Sequence, residues 1–172
     1  LDRIGGLKRA IEFLDKLSAR SIVVLELSSF QLIDITKSPH IEVMLMTTSE
    51  HLDWHKDTKE YVDAKRNILK FQNSSDFAIV NRDYPASLES DTHTEGQVFY
   101  VSRKREVERG CFIKNESIYC RYTGISSVKD VEIISTKNIM LPGKHNWENV
   151  MAAITAVMLA GKLLENAEKL LD

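Results

Sequence analysis

The run Glu26-Leu27-Ser28-Ser29-Phe30-Gln31 places a carboxylate, two hydroxyls and an amide directly after the apolar residues Ile22, Val23, Val24 and Leu25. Ligands of open α/β sheets collect at the carboxyl ends of buried strands, so these polar groups stand where a substrate or metal would sit. Glu26 offers carboxylate oxygens, and Ser28, Ser29 and Gln31 offer groups that can hydrogen-bond a ligand. A solvent-facing strand end with a capped turn would read the same way, and both readings stay open. Thr47, Thr48, Ser49, Glu50, His51, Asp53 and His55 form a denser polar cluster. Its alternating His51, Asp53 and His55, together with Glu26, could hold zinc or manganese in a metal-dependent hydrolase. Two-residue spacing faces all three one way only in a strand, however, and a helix start follows at once.

Lys65 is the third candidate. Asp57 reads as an N-cap, with Glu60 three residues on completing a capping box, so a helix is expected to about Phe71. Tyr61, Lys65, Ile68 and Leu69 then fall on one stripe, which puts a lysine among inward apolar residues. Either its stem packs while its ammonium escapes to water, or its amine serves chemistry. The fourth stretch is Leu141-Pro142-Gly143-Lys144-His145-Asn146-Trp147-Glu148-Asn149. Asn146 there is a plausible N-cap for a helix over residues 150–160, with Val150, Ile154, Val157 and Gly161 on one face. A helix N-terminus of this composition also suits an anion or a nucleotide base.

The elements that must carry these groups alternate between strand and helix. A helix over residues 6–19 is expected from Leu7, Ile11, Leu14 and Leu17 at helical spacing. A central strand over 21–27 follows, then a short helix or loop over 31–38 and a strand over 41–46. The loop makes that pair a crossover, hence parallel. A third strand spans 76–81, and 85–96 reads as a polar loop. Short strands over 97–135 suggest an antiparallel patch beside the main sheet. The fold class expected is α/β, a mostly parallel sheet flanked by helices with a small antiparallel β patch.

At 172 residues, 43% hydrophobic and 28% charged, the chain suits one soluble globular domain. A formal net charge of −2 with interspersed signs gives no electrostatic reason to expect nucleic acid or an acidic membrane. The longest apolar stretches are interrupted and too short to span a bilayer. Cys111 and Cys120 lack Cys-x-x-Cys spacing and read as free thiols in a reducing cytoplasm; a disulfide across their hairpin needs one particular register.

Three segments taken together resemble, in order and spacing, the central domain of the Mur ligases of peptidoglycan synthesis: LELSSFQL at 25–32, EHLDWH with YVDAK at 50–65, and LPGKHNWENVMAA at 141–153. Ser-Ser-Phe-Gln is similar to the branch of the family that adds D-glutamate. The resemblance implies an ATP-dependent ligase that joins D-glutamate to UDP-N-acetylmuramoyl-L-alanine through an acyl phosphate, with Mg2+ as cofactor, in the cytoplasm and without a nucleic-acid or membrane partner. It implies magnesium binding by Glu26 and His51, carbamylation of Lys65 as a catalytic and metal-orienting group, substrate contacts from Ser28 and Gln31, and ATP contacts from Asn146 and Asn149. A carbamylated lysine supplies the reason for an inward amine, since burial favours the neutral form that reacts with carbon dioxide.

The resemblance has gaps. The family's phosphate loop is absent from these residues, as are its UDP-binding N-terminal domain and its C-terminal domain, so the chain reads as part of a central domain and is expected to be inactive alone. Asp2-Arg3-Ile4-Gly5 stands where the family has Gly-Asn-Ile-Gly, and Met46 and Glu50 stand where it tends to have Asn and Asp. The hydrolase is the alternative function, and a non-catalytic binding module is a third reading for which no surface patch can be named.

Overall fold

The computed structural model describes residues 14–18, 21–47, 57–123 and 128–169. Its centre is a six-stranded sheet in which sequence order is also spatial order: β1 (Ile41–Met44), β2 (Phe77–Asn81), β3 (Gln97–Ser102), β4 (Gly110–Lys114), β5 (Ser117–Thr123) and β6 (Val128–Ser135). The pairs β1–β2, β2–β3 and β3–β4 are parallel, while β4–β5 and β5–β6 are antiparallel. The antiparallel strands thus continue the parallel sheet rather than forming a patch beside it, and β3, expected among the hairpins, is one of its parallel strands. The sequence shows strand type locally, but pairing direction depends on how the connection returns.

Alternation along the strands sorts their side chains onto two buried faces. Phe77 and Ile79 of β2, Val101 of β3, Cys111 of β4, and Ile118 and Cys120 of β5 pack against Met151, Ala152 and Leu159 of the long helix α4 (His145–Lys169). Ala78 and Val80 point the other way and meet Met44 and Leu69. That second face is covered by α2 (Thr58–Arg66) and the turns after it, joined by α3 (Pro85–Leu88) and the 3₁₀ turn Glu89–His93. The segment 85–96, expected as a polar loop, is therefore largely helical, with Pro85 supplying the preset first turn. Arg66 fastens it to α2 by donating to Ser90 Oγ at 3.2 Å and the Ala86 carbonyl at 3.3 Å.

Asp57 caps α2 as expected, accepting from the Glu60 backbone N–H at 2.8 Å. The helix proper stops at Arg66, and turns carry the chain on to Phe71. Its inward stripe is correct: Tyr61 and Leu69 are buried and Lys65 is half-buried.

Further expectations fail. Residues 21–27 are not a strand: they run irregularly, and Ile22, Val23, Val24 and Leu25 are exposed, Val24 at 76%. An apolar extended run becomes a strand only where a ladder partner meets its backbone, and among the described residues none does. On α4 the fully buried residues are Glu148, Met151, Ala152, Thr155 and Leu159; of the expected face Val150 and Ile154 pack partly buried against the same core, whereas Val157, 72% exposed, and Gly161 do not, so the covered face is rotated from the one expected. Cys111 and Cys120 are not free thiols but a disulfide. The register sets them directly opposite with Cα atoms 4.0 Å apart, and Asn115 and Glu116, both at positive φ, make the two-residue turn that fixes that register. Of the expected helix over 6–19, only the 3₁₀ turn Leu14–Lys16 and residues 17–18 are described, and Leu17 is not helical.

Candidate active site

Ser28 begins the short helix α1 (Ser29–Leu32), which follows Glu26 and Leu27. Its backbone N–H and its hydroxyl both donate to Gln31 Oε1, at 2.9 and 3.1 Å, so these two residues hold one another in a capping arrangement. The carbonyl end of Gln31 is committed to that cap, and its amide nitrogen is the donor it can offer a ligand. Asn67, in the turn after α2, donates to the carbonyls of Leu32 and Ile33 at 3.1 and 3.0 Å. That bridge seats α1 against α2 and brings the two segments into one place.

Between them lies a cavity of about 330 Å³ lined by Glu26, Leu27, Ser28, Ser29, Gln31, Tyr61 and Lys65. Four residues singled out in the sequence, Glu26, Ser28, Gln31 and Lys65, therefore meet on one surface. The Lys65 ammonium lies 5.2 Å from the centre of the Tyr61 ring, a cation–π contact that holds the side chain along the cavity wall. Lys65 thus neither escapes fully to water nor sits in an apolar core. Glu26 fits a divalent cation by chemistry, as a carboxylate lining a polar cavity together with an amine that would become an anionic oxygen donor once carbamylated. His51, Asp53 and His55 lie outside the described residues, as do Glu50 and Arg3, and no cluster of three metal-ligating side chains occurs among the residues described.

Asn146 and Asn149 are elsewhere, at the start of α4, and do not line the cavity. Asn146 is not the N-cap expected: the helix begins at His145, and the Asn146 amide donates back to the Pro142 carbonyl at 2.6 Å. Asn149 in turn donates to Asn146 Oδ1 at 3.0 Å, which leaves the pair side by side on the first turn. Below them is a buried polar cluster that sequence reasoning missed. Asn81, at the carboxyl end of β2, donates to Glu148 Oε2 at 2.8 Å; Tyr84 donates to Glu148 Oε1 at 3.2 Å; and Arg103, just beyond β3, pairs with the same carboxylate. Its hydrogen bond to Glu148 raises the Arg103 pKa further. Asp83 accepts from Ser102 Oγ at 2.6 Å and from the Arg103 backbone N–H at 2.7 Å. The polar run Asn81-Arg82-Asp83-Tyr84 that closes an otherwise apolar strand was the available signal, but polar residues at a strand end usually mark only a turn.

The pattern that defines the Mur ligase middle domain matches residues 5–157. The chain therefore belongs to the Mur ligase middle-domain family. Its relatives narrow the comparison to one kind of ligase. It is 40% identical over 136 residues to the UDP-N-acetylmuramoylalanine--D-glutamate ligase of Acetivibrio thermocellus, covering 79% of this chain and 28% of the relative. Against the enzyme of that name from Bacillus cytotoxicus it is 37% identical over 153 residues, 88% of this chain and 32% of the relative. Among solved structures, MurF from Acinetobacter baumannii is similar over 72% of this chain and 26% of that one, at 18% identity and a TM-score of 0.49. The chain thus spans under a third of the length of the curated relatives named here. Family membership displaces the hydrolase reading of Glu26, His51, Asp53 and His55. Among the described residues no helix is long and apolar enough to cross a membrane.

Proposed function

We propose that this chain is the central part of an ATP-dependent ligase that adds D-glutamate to UDP-N-acetylmuramoyl-L-alanine in peptidoglycan synthesis, with a cytoplasmic location to match. The observation that carries the reading is the cavity where Glu26 and Lys65 meet beside Ser28 and Gln31. In this reading Ser28 and the Gln31 amide hold the UDP-muramoyl substrate, and Asn146 and Asn149 face ATP. Glu26, His51 and a carbamylated Lys65 would hold Mg2+, which when bound screens the repulsion between the substrate carboxylate and the γ-phosphate.

The chemistry is otherwise positional. The substrate carboxylate oxygen attacks the γ-phosphorus and ADP leaves; the D-glutamate amine then attacks the acyl carbon, expelling phosphate and losing a proton. Carbamylation requires the Lys65 ammonium to lose one proton; the neutral Nζ then bonds the carbon of carbon dioxide and loses a second, converting a cation into an anion. The resulting carboxylate would line the same cavity as Glu26.

The test is phosphate release from ATP by the full-length gene product. Release that requires both UDP-N-acetylmuramoyl-L-alanine and D-glutamate supports the reading, and no release from a folded protein overturns it. Lys65→Ala is expected to lose at least about 100-fold in rate and to regain part of it with added short carboxylic acids. Loss without rescue, at unchanged stability, would make Lys65 a structural residue.

A further inference from the structure

We infer that Glu148 is a positioning residue that fixes the rotation of α4 and so aims Asn146 and Asn149. The inference rests on the reading that those asparagines face ATP. Glu148 is 2% exposed, yet it is a carboxylate on the first turn of a helix whose next turns bury apolar side chains. The groups that bond it come from three different stretches of chain: Asn81 from the end of β2, Tyr84 from the turn after it, and Arg103 from the end of β3. The α4 N-terminus is thereby tied to the carboxyl ends of two adjacent parallel strands, the edge at which ligands of such sheets bind.

Helical geometry converts that tie into aim. At 100° per residue, Glu148 lies about 200° from Asn146 and about 100° from Asn149 around the axis. The buried carboxylate thus points into the protein, with Asn146 on nearly the opposite side of the helix and Asn149 about a quarter-turn round from it, and holding one fixes the others. Packing alone sets this angle loosely, because the apolar stripe of Met151, Ala152 and Leu159 tolerates small rotations; three directional hydrogen bonds to one carboxylate do not. Two of the partners are themselves held. Asn81 Oδ1 accepts from the Asp83 backbone N–H at 2.9 Å, which orients its amide toward Glu148. The Arg103 backbone is bound by Asp83. Glutamine at position 148 would keep the shape but replace one acceptor with a donor, facing the Asn81 amide or the donors of Tyr84 and Arg103.

The experiment is steady-state kinetics of the full-length product with Glu148→Gln, Tyr84→Phe and, as reference, Asn149→Ala. Glu148→Gln should raise KM for ATP about tenfold and Tyr84→Phe about two- to threefold, with kcat at saturating ATP and KM for the other substrates within about twofold. Equal losses in kcat and all KM values would overturn the inference in favour of a general folding role. An unchanged ATP KM in both variants, with Asn149→Ala raised, overturns the inference and leaves the nucleotide reading standing. An unchanged ATP KM in all three overturns both. Should Glu148→Gln fail to fold, Tyr84→Phe decides on the same criteria, because it removes one hydroxyl and leaves the ion pair.

Discussion

Glu42→Met should stabilise the protein. Glu42 is 1% exposed, and among the described residues neither of its carboxyl oxygens has a hydrogen-bond partner. It stands on β1 two residues before Met44 and opposite Ala78, on the face where Met44, Leu69, Ala78 and Val80 form an apolar cluster. Burial holds its pKa well above the usual carboxylate range. Leaving a buried polar group unpaired costs about 1–3 kcal/mol, and methionine matches the length of glutamate with no polar atom to satisfy. At about 2–4 °C per kcal/mol for a chain of this size, the melting temperature should rise by about 2–12 °C. The sign of the pH dependence follows from the raised pKa. Below about pH 4 folded and unfolded chains both hold the proton; as pH rises, the unfolded chain releases it first and the wild type loses stability until the folded pKa is passed. The gain from Glu42→Met is therefore smallest in acid and grows toward neutral pH. Thermal or urea unfolding of both proteins across that range is the assay. A variant less stable than wild type at neutral pH, or a gain that does not change with pH, would refute the reasoning.

Gly110→Ala should cost more than about 3 kcal/mol in urea unfolding, because Gly110 sits at φ +117° and an added Cβ would lie 2.1 Å from the Tyr100 carbonyl oxygen; unchanged stability would rule out this β3–β4 register. The Cys111–Cys120 bridge predicts no titratable thiol in the denatured, unreduced protein and two after reduction, with Cys111→Ala/Cys120→Ala losing about 2–3 kcal/mol; thiols titrating before reduction would contradict it. Burial, helped by its hydrogen bond to Asp91, pushes the Tyr100 pKa up to about 12. Stability should accordingly be full below about pH 10, where an unfolded tyrosine keeps its proton, and fall as pH rises toward the folded pKa; Tyr100→Phe should remove that part of the fall, measured by urea midpoints in alkali.

Much of the candidate site is legible in the residues alone. The acidic, hydroxyl and amide groups after Leu25 and the lysine on an inward stripe can be read because residue type and helical period are local properties. Asp57 can be named as a cap for the same reason, and it caps. Asn67, which seats α1 against α2 through the Leu32 and Ile33 carbonyls, carries no such signal: its partners lie 35 and 34 residues away. Glu148 is visible only as one letter of a motif, since its value lies in Asn81, Tyr84 and Arg103, which sequence distance hides.

The sequence by itself determined the family, the alternation of helix and strand, and which residue types could do chemistry, because each is written in short-range pattern. The tertiary structure decided what depends on distant partners. It decided that residues 21–27 stay irregular for want of a ladder neighbour among the described residues, and that β3 runs parallel to β2. It also decided that the hairpin register joins Cys111 to Cys120, and that α4 turns Glu148 rather than Val157 inward. A side-chain period specifies a face, but only the neighbouring element determines which face is covered and what it is paired with.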